Sequence, residues 1–282
     1  MTHRTVGLAH LTFLQRTPAQ LIELAAAAGF DAVSLRLSPA TEDDDAARSH
    51  SAPQRIADAR RACDRTRTPV LDVEVFGFTP ETEPTAFVPA LDAAAALGAR
   101  YLLVNCRDAD AKRFTARLAR FAQLAAERGL RAMLEFIPYT AARTLPEAAA
   151  LVDGTGAGLL IDALHLQRAG GDPDDLTRVE ADRLGYVQIC DAPRTPPAGG
   201  LLAESRHDRL VPGTGELPLL DLLACLPATA EISVEAPSDR LRSHLGELGL
   251  ARRLRASVGD VLDELEVTRS RSYGTAEEAG NV

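Results

Sequence analysis

A chain of 282 residues that is 46% hydrophobic and 25% charged is long enough to bury one large core. Its net charge of −9 argues against a nucleic-acid-binding protein, because phosphate recognition needs a basic surface. No window approaches the roughly 18 apolar residues of a membrane span, and the four cysteines show no CxxC spacing, so we expect a cytoplasmic protein without a disulfide framework.

Short β-branched segments alternate with Ala-, Leu- and Arg-rich amphipathic stretches along the chain. Residues 5–11 are predicted as a first strand rather than a signal peptide. The first helix is predicted to begin at Pro18, after the cap residue Thr17, and to stop at Gly29. Seven further strands are predicted at 30–37, 69–76, 100–106, 130–137, 158–164, 184–190 and 231–236, and helices at 53–65, before Gly98 and at about 243–266.

Eight strands joined by crossovers of helical length predict parallel pairing and an α/β fold. We interpret the chain as a single (β/α)8 TIM barrel over residues 1–267, followed by a frayed polar tail at 268–282. An open doubly wound sheet is the alternative. It usually carries a Gly-rich loop after its first strand, and this sequence has none there.

Four predicted strands in the second half of the chain end on oxygen-bearing side chains, namely Glu135, Asp162, Gln188 and Glu235. Such groups are costly inside apolar runs unless a partner compensates them. The spacing of the first three is about one strand, one helix and two loops. Successive strands therefore direct these oxygens to one end of the barrel, where we predict a divalent metal site.

Side-chain alternation predicts which residues point toward the barrel axis. In LRAMLEFI, Leu134 and Phe136 share one face, and Glu135 shares the other with Met133 and Ile137. The same reasoning directs four polar residues of the earlier strands inward as substrate-binding candidates: His10, Arg36, Glu74 and Asn105. For Glu74, a structural ion pair is an equally good interpretation.

Five motifs carry a resemblance to a known family: LEFIP at 134–138, IDALHLQRAGG at 161–171, YVQICDAP at 186–193, ESRHDRLVPGTGELPL at 204–219 and SVEAP at 233–237. The chain resembles the xylose isomerase-like, AP-endonuclease-family-2 TIM barrels, often labelled sugar phosphate isomerase/epimerase. The resemblance implies that Glu135, Asp162, Gln188 and Glu235 bind one divalent ion. Many relatives have His where this chain has Gln188, and an all-oxygen ligand set favours Mn²⁺ or Mg²⁺, with Co²⁺ and Zn²⁺ left open. A multi-metal DNA-repair nuclease is disfavoured, because the chain has only six His residues.

Three further residues are candidates for chemistry near this site. His165 follows Asp162 by one helical turn and is predicted to act as an acid/base together with Glu135 and Glu235, although a supporting role beside Asp162 is the alternative. The long loop from Pro193 to Pro218 carries Arg206 and Arg209. We predict that Arg206, or else Arg209, binds an anionic part of the substrate. Similar loop segments occur in bacterial 3-dehydroshikimate dehydratases, which also resemble this chain in using Gln as a ligand.

These features predict an enzyme that acts on a small keto-sugar or keto-cyclitol through an enediolate intermediate. An isomerase or epimerase is our first interpretation, a dehydratase is the second, and a non-catalytic sugar-binding barrel is the third. The expected partner is a small-molecule substrate, with neither nucleic acid nor membrane involved. A homodimer stays open.

Overall fold

The computed structural model describes residues 4–39 and 50–279. Its eight strands all pair in parallel with their sequence neighbours, and the last strand pairs with the first, so the barrel is closed. This confirms the predicted (β/α)8 fold. The strands are β1 (Val6–Leu8), β2 (Ala32–Arg36), β3 (Val70–Phe78), β4 (Tyr101–Cys106), β5 (Arg131–Glu135), β6 (Gly158–Asp162), β7 (Leu184–Ile189) and β8 (Ile232–Val234).

Helices cover the outside of the barrel. The predicted start and end of the first helix are confirmed. Thr17 and Gln20 form a reciprocal capping box at its start, and Gly29 adopts a left-handed φ of 84° at its end. The described helices are α1 (Pro18–Ala28), α2 (Pro53–Thr66), α3 (Val88–Ala96), α4 (Ala111–Ala126), α5 (Leu145–Val152), α6 (Ala163–Arg168), α7 (Leu201–His207), α8 (Leu219–Cys225) and α9 (Asp239–Ala279).

The last helix differs from its prediction at both ends. It begins at Asp239, is interrupted by non-helical geometry at Gly246, and continues to Ala279. The predicted frayed tail is therefore helical up to Ala279, and residues 280–282 lie outside the described residues. The domain boundary at 267 stays a prediction. In the part of the chain that the structure describes, no helix is both long and apolar enough to cross a membrane.

Two apolar layers lie on opposite sides of the strands. Leu134 packs into the outer layer between barrel and helices, whereas Met133 packs inside the barrel with Leu160 and Tyr186. The predicted alternation of β5 is thus confirmed. Because one face of each strand meets the helices, polar side chains on the other face converge inside the barrel.

The interior of the barrel also contains a hydrogen-bonded cluster of three buried polar residues, Ser34, Asp72 and Ser233. Ser34 donates a hydrogen bond to Asp72, and the Oγ atoms of Ser34 and Ser233 lie 2.9 Å apart. Burial raises the pKa of Asp72 well above its ordinary value, and the nearby Glu74 carboxylate raises it further. The buried environment thus shifts the equilibrium of Asp72 toward its neutral form.

His10 lies directly after β1, in a short 3-10 helix spanning His10–Phe13, and it is fully buried. Its Nδ1 accepts a hydrogen bond from the Arg36 backbone N–H at 2.9 Å, so its Nε2 carries the proton and donates to the Arg16 carbonyl oxygen at 2.8 Å. Both ring nitrogens are used by backbone groups. This placement gives His10 a structural role in place of the predicted contact with substrate.

Burial lowers the pKa of His10 to about 3, against an ordinary value of 6.5. The folded state therefore binds fewer protons than the unfolded state between these two values, and stability falls as the pH drops below 6.5. We expect His10→Gln, which keeps a donor for Arg16, to lose less stability on acidification. The difference in the free energy of unfolding between pH 7 and pH 5 should be smaller by about 2 kcal/mol.

Urea unfolding of the wild type and His10→Gln at both pH values measures this difference. An equal loss of stability in the two proteins would show that the buried ring does not control the acid response.

Candidate active site

Three acid–base side chains form a tight cluster at the carboxyl ends of β5 and β6. The possible ligand atoms of Glu135, Asp162 and His165 all lie within 4.8 Å of one another, and all three residues are buried. Asp162 ends β6 and caps α6, where its Oδ1 accepts a hydrogen bond from the His165 backbone N–H at 3.0 Å. His165 also lies close to Glu135, with its Nε2 3.8 Å from Glu135 Oε1.

The other two predicted metal ligands, Gln188 and Glu235, lie beside this cluster. Gln188 Nε2 donates to Glu235 Oε1 at 3.2 Å. The buried Oε1 of Gln188 has no hydrogen-bond partner among the described residues. An unpaired carbonyl oxygen next to carboxylates is costly unless a cation or a donor approaches it.

Arg209 lies fully buried between two of these carboxylates. Its Nη1 donates to Asp162 Oδ2 at 2.7 Å, and its Nη2 lies 2.9 Å from Glu235 Oε2. The sequence analysis preferred Arg206 to Arg209 for binding an anionic part of the substrate, and that contact stays a prediction. The structure places Arg209 deeper, where its guanidinium orients two of the predicted ligands.

The pKa values show how strongly these groups interact. Burial raises the pKa of Glu135 well above its ordinary value, and the carboxylates of Glu235 and Asp162 raise it further. Burial likewise raises the pKa of Glu235 to about 8, although Arg209 opposes the shift. For Asp162, burial acts upward, but Arg209 and His165 outweigh it and hold its pKa below the ordinary value. Burial lowers the pKa of His165 to about 4, so the imidazole is neutral near pH 7.

The donor set fits a divalent cation. Glu135, Asp162 and Glu235 contribute three negative charges when ionised, and Arg209 contributes one buried positive charge. Two further positive charges would balance the site, and the unpaired Gln188 oxygen supplies a neutral ligand. Carboxylate and amide oxygens suit hard cations, and His165 offers one nitrogen ligand in addition.

A cavity opens above this cluster at the mouth of the barrel. Most of the predicted substrate-binding residues line it, including Arg36, Glu74, Asn105, Arg206 and Arg209, whereas His10 does not. Arg36 pairs with Glu74 at 3.5 Å, and Asn105 Nδ2 donates to Glu135 Oε2 at 2.9 Å. Glu74 is therefore ion-paired and also lines the cavity, and its contact with substrate stays a prediction.

Sequence reasoning missed other polar residues that line this cavity, among them Arg107 and Tyr139. Tyr139 follows β5, and its hydroxyl lies 2.7 Å from Ser205 Oγ on α7. Arg107 follows the last residue of β4. Its position directly after a strand was a usable signal, because side chains at that end of a barrel face the active site.

The predicted loop from Pro193 to Pro218 contains α7 and is attached to the ends of two strands. Asp191, which follows β7, accepts hydrogen bonds from the backbone N–H groups of Gly215 at 2.8 Å and Leu217 at 3.0 Å. A Cβ atom at Gly215 would collide with the Asp191 carboxylate, so the PGTG segment needs glycine there. The segment holds the chain in place just after Arg209.

Residues 22–258 match the family described as xylose isomerase-like TIM barrel. The chain belongs to this family. The match spans β2 to β8 and includes every residue of the acidic cluster, so the family resemblance drawn from the five motifs is confirmed.

Two curated relatives share parts of the sequence, and both are 3-dehydroshikimate dehydratases. The one from Pseudomonas putida (strain KT2440) is 33% identical over 94 residues, which cover 32% of this chain and 14% of that protein. The one from Pseudomonas aeruginosa (strain PAO1) is 32% identical over 133 residues, covering 45% of this chain and 21% of that protein. The matched segments are thus a small part of both relatives.

Solved structures share the fold at low sequence identity. The IOLI protein with a bound zinc atom superposes with a TM-score of 0.76 at 19% identity, covering 93% of this chain and 99% of that one. A D-allulose 3-epimerase from Methylomonas sp. in complex with D-allulose gives a TM-score of 0.69 at 18% identity, covering 92% and 98%. At these identities the likeness establishes the barrel fold alone.

Proposed function

We propose that this chain is a divalent-metal-dependent dehydratase of a small keto-cyclitol that carries a carboxylate. The observation that carries this proposal is a pair of arginines, Arg107 and Arg206, on the wall of the cavity that contains Glu135 and His165. Sequence identity to two 3-dehydroshikimate dehydratases supports the same reaction. Arg107 and Arg206 form a cationic rim around the cavity. A metal-binding barrel with such a rim suits a substrate that is both a ketone and an anion.

The charge of the rim is the decisive property. Burial lowers the pKa of Arg107, and the neighbouring Arg206 guanidinium lowers it further, so the two cations oppose each other. Neither has a carboxylate partner among the described residues. A substrate carboxylate would relieve this repulsion and accept paired hydrogen bonds, whereas a neutral sugar would do neither.

Glu135, Asp162, Gln188 and Glu235 would hold the divalent ion. When bound, such an ion polarises a substrate carbonyl and makes the proton on the neighbouring carbon more acidic. Arg209 keeps the Asp162 and Glu235 carboxylates in position through its two nitrogens. Arg209 therefore orients the ligand carboxylates, and both of its terminal nitrogens are already paired with them.

The side chains of the site can then move the protons that dehydration requires. We assign His165 as the group that accepts the proton from the carbon next to the carbonyl, because its ring is neutral near pH 7 and faces the cavity. The electron pair left on that carbon expels the hydroxyl group of the next carbon. Proton and hydroxide leave as water, and a cyclohexenone ring so dehydrated tautomerises to an aromatic diol. Glu135 and Glu235 are the further candidates for proton transfer.

The isomerase or epimerase that sequence analysis prefers would begin with the same proton removal and ranks second. It would return the proton instead of expelling a hydroxyl group. The ion-paired Arg36 and Glu74 on the cavity wall suit the hydroxyl groups of a sugar, which favours this alternative. A neutral ketose would nevertheless leave Arg107 and Arg206 opposed, and for that reason we place it after the dehydratase.

We expect the Mn²⁺-loaded protein to convert 3-dehydroshikimate into an aromatic dihydroxybenzoate, with turnover abolished by a chelator and restored by added metal. Ultraviolet absorbance and chromatography of the product measure the reaction, and ketohexoses and inososes serve as parallel substrates. Conversion of a neutral ketose with no reaction of 3-dehydroshikimate would reverse the order of the two reactions. Binding of these compounds without turnover or exchange of the α-proton with deuterated solvent would favour the sugar-binding barrel.

We expect His165→Gln to keep the metal and lose turnover by roughly 10² to 10⁴, the range for a positioned acid/base. Elemental analysis of the purified variant separates this role from a ligand role. Loss of the metal together with activity would make His165 a ligand, and full activity would leave it only a supporting part beside Asp162.

We expect Arg107→Gln and Arg206→Gln each to raise KM for an anionic substrate roughly tenfold while changing kcat little, since each removes one charge-assisted contact made in both the ground and transition states. Steady-state kinetics at two salt concentrations measure this. Arg120→Gln, on the exposed face of α4, is the matched control. An unchanged KM in both rim variants would contradict anion recognition at this rim.

A further inference from the structure

A buried ion pair joins two helices at the mouth of the barrel. Arg168, at the end of α6, donates from Nε and Nη2 to the two carboxylate oxygens of Glu204 on α7, at 2.8 and 2.6 Å. The exposed fractions of these side chains are 3% and 1%. Arg168 also donates to the carbonyl oxygens of Pro193 at 2.7 Å and Arg194 at 3.0 Å, so one guanidinium binds both ends of the segment 193–204.

The residues adjoining this pair contact the candidate active site. Ser205 follows Glu204 on α7, and its hydroxyl group contacts Tyr139. The carbonyl oxygen of Ser205 accepts a hydrogen bond from Arg209 Nε at 2.9 Å. Arg206 lies on the same helix and reaches the cavity rim. The position of α7 therefore determines where the cavity-lining side chains of Ser205, Arg206 and Arg209 lie.

The other partner of the pair is connected to the acid–base cluster. Arg168 and His165 share the single short helix α6, which begins at the Asp162 cap. A displacement of α7 relative to α6 would thus separate Arg206 and Arg209 from His165 and Asp162. Within the described residues, Arg168 and Glu204 form the charged contact that links these two helices.

We propose that Arg168 and Glu204 are positioning residues that fix α7 over the cavity. Burying two charges costs free energy that apolar side chains would not cost, so the pair gives orientation more than stability. Its two parallel hydrogen bonds fix the guanidinium and carboxylate planes relative to each other, which neither a lysine nor an amide can reproduce. The consequence for catalysis rests on the proposed function, whereas the positioning of α7 does not.

Hydrogen–deuterium exchange of the full-length protein tests the positioning directly. We expect Glu204→Gln and Arg168→Lys to speed exchange of backbone amides in residues 200–209 by about tenfold or more, with β5 to β8 unchanged. Arg183→Lys is the matched control, because Arg183 also binds two carboxylates, Glu180 and Asp153, but lies at the opposite end of β7. Unchanged exchange at 200–209, or an equal rise in the strands, would overturn the proposal.

Should a single variant fail to fold, Arg168→Met combined with Glu204→Leu removes both charges without leaving either one buried alone. The same local rise in exchange is expected, and its absence would again overturn the proposal.

Kinetics separate positioning from stability and from the proposed reaction. In the wild type, Arg206→Gln should raise KM, whereas in the Glu204→Gln background the same substitution should change it less than twofold, because Arg206 is no longer held at the rim. Independent, additive effects would contradict the coupling. If no candidate substrate turns over while local exchange still rises, the proposed function fails and the positioning of α7 stands.

Discussion

The negative charge of three buried carboxylates must be balanced, and the structure around the mouth of the barrel depends on that balance. Glu135, Asp162 and Glu235 lie at different strand ends, and the closed barrel brings them together as buried neighbours. Burial raises the pKa values of Glu135 and Glu235, and the charge of neighbouring carboxylates raises both further, so the three groups would repel one another if all were ionised. Protons or cations must therefore balance them, and Arg209 supplies one positive charge.

The loop after β7 follows from this requirement. Arg209 can lie between Asp162 and Glu235 only if the chain before it crosses the mouth of the barrel and is held there. The contacts of Asp191 with the PGTG segment hold the chain after Arg209, and the ion pair between Arg168 and Glu204 holds the chain before it. The same path carries Arg206 to the rim of the cavity, so the charge balance of the buried carboxylates and the proposed substrate recognition depend on one segment.

The fold and the acidic cluster could be predicted from the sequence because both depend on local, periodic signals. Strand alternation assigned Glu135 to the interior and Leu134 to the helix layer, and the structure agrees. The different depths of Arg206 and Arg209 had no such signal. They depend on α7, a short helix inside a long loop, and on partners in distant segments.

The same limit explains the other differences. His10 has the position expected of a substrate contact, but backbone groups from two separate segments use both of its nitrogens, and no sequence pattern encodes that. Arg168 has no local sequence signal for burial, because its buried ion pair depends on Glu204 of α7. Predictions from strand periodicity therefore succeed at the strand ends, whereas those for loop side chains require the tertiary contacts.

The most direct test of the account is the anomalous scattering of crystals grown with Mn²⁺. The charge balance of the site predicts one strong peak per chain within bonding distance of Glu135, Asp162, Gln188 and Glu235, with no peak in crystals of Asp162→Ala. A peak at another group of residues, or no peak at full Mn²⁺ loading of the solution, would contradict a metal centre built from these strand ends.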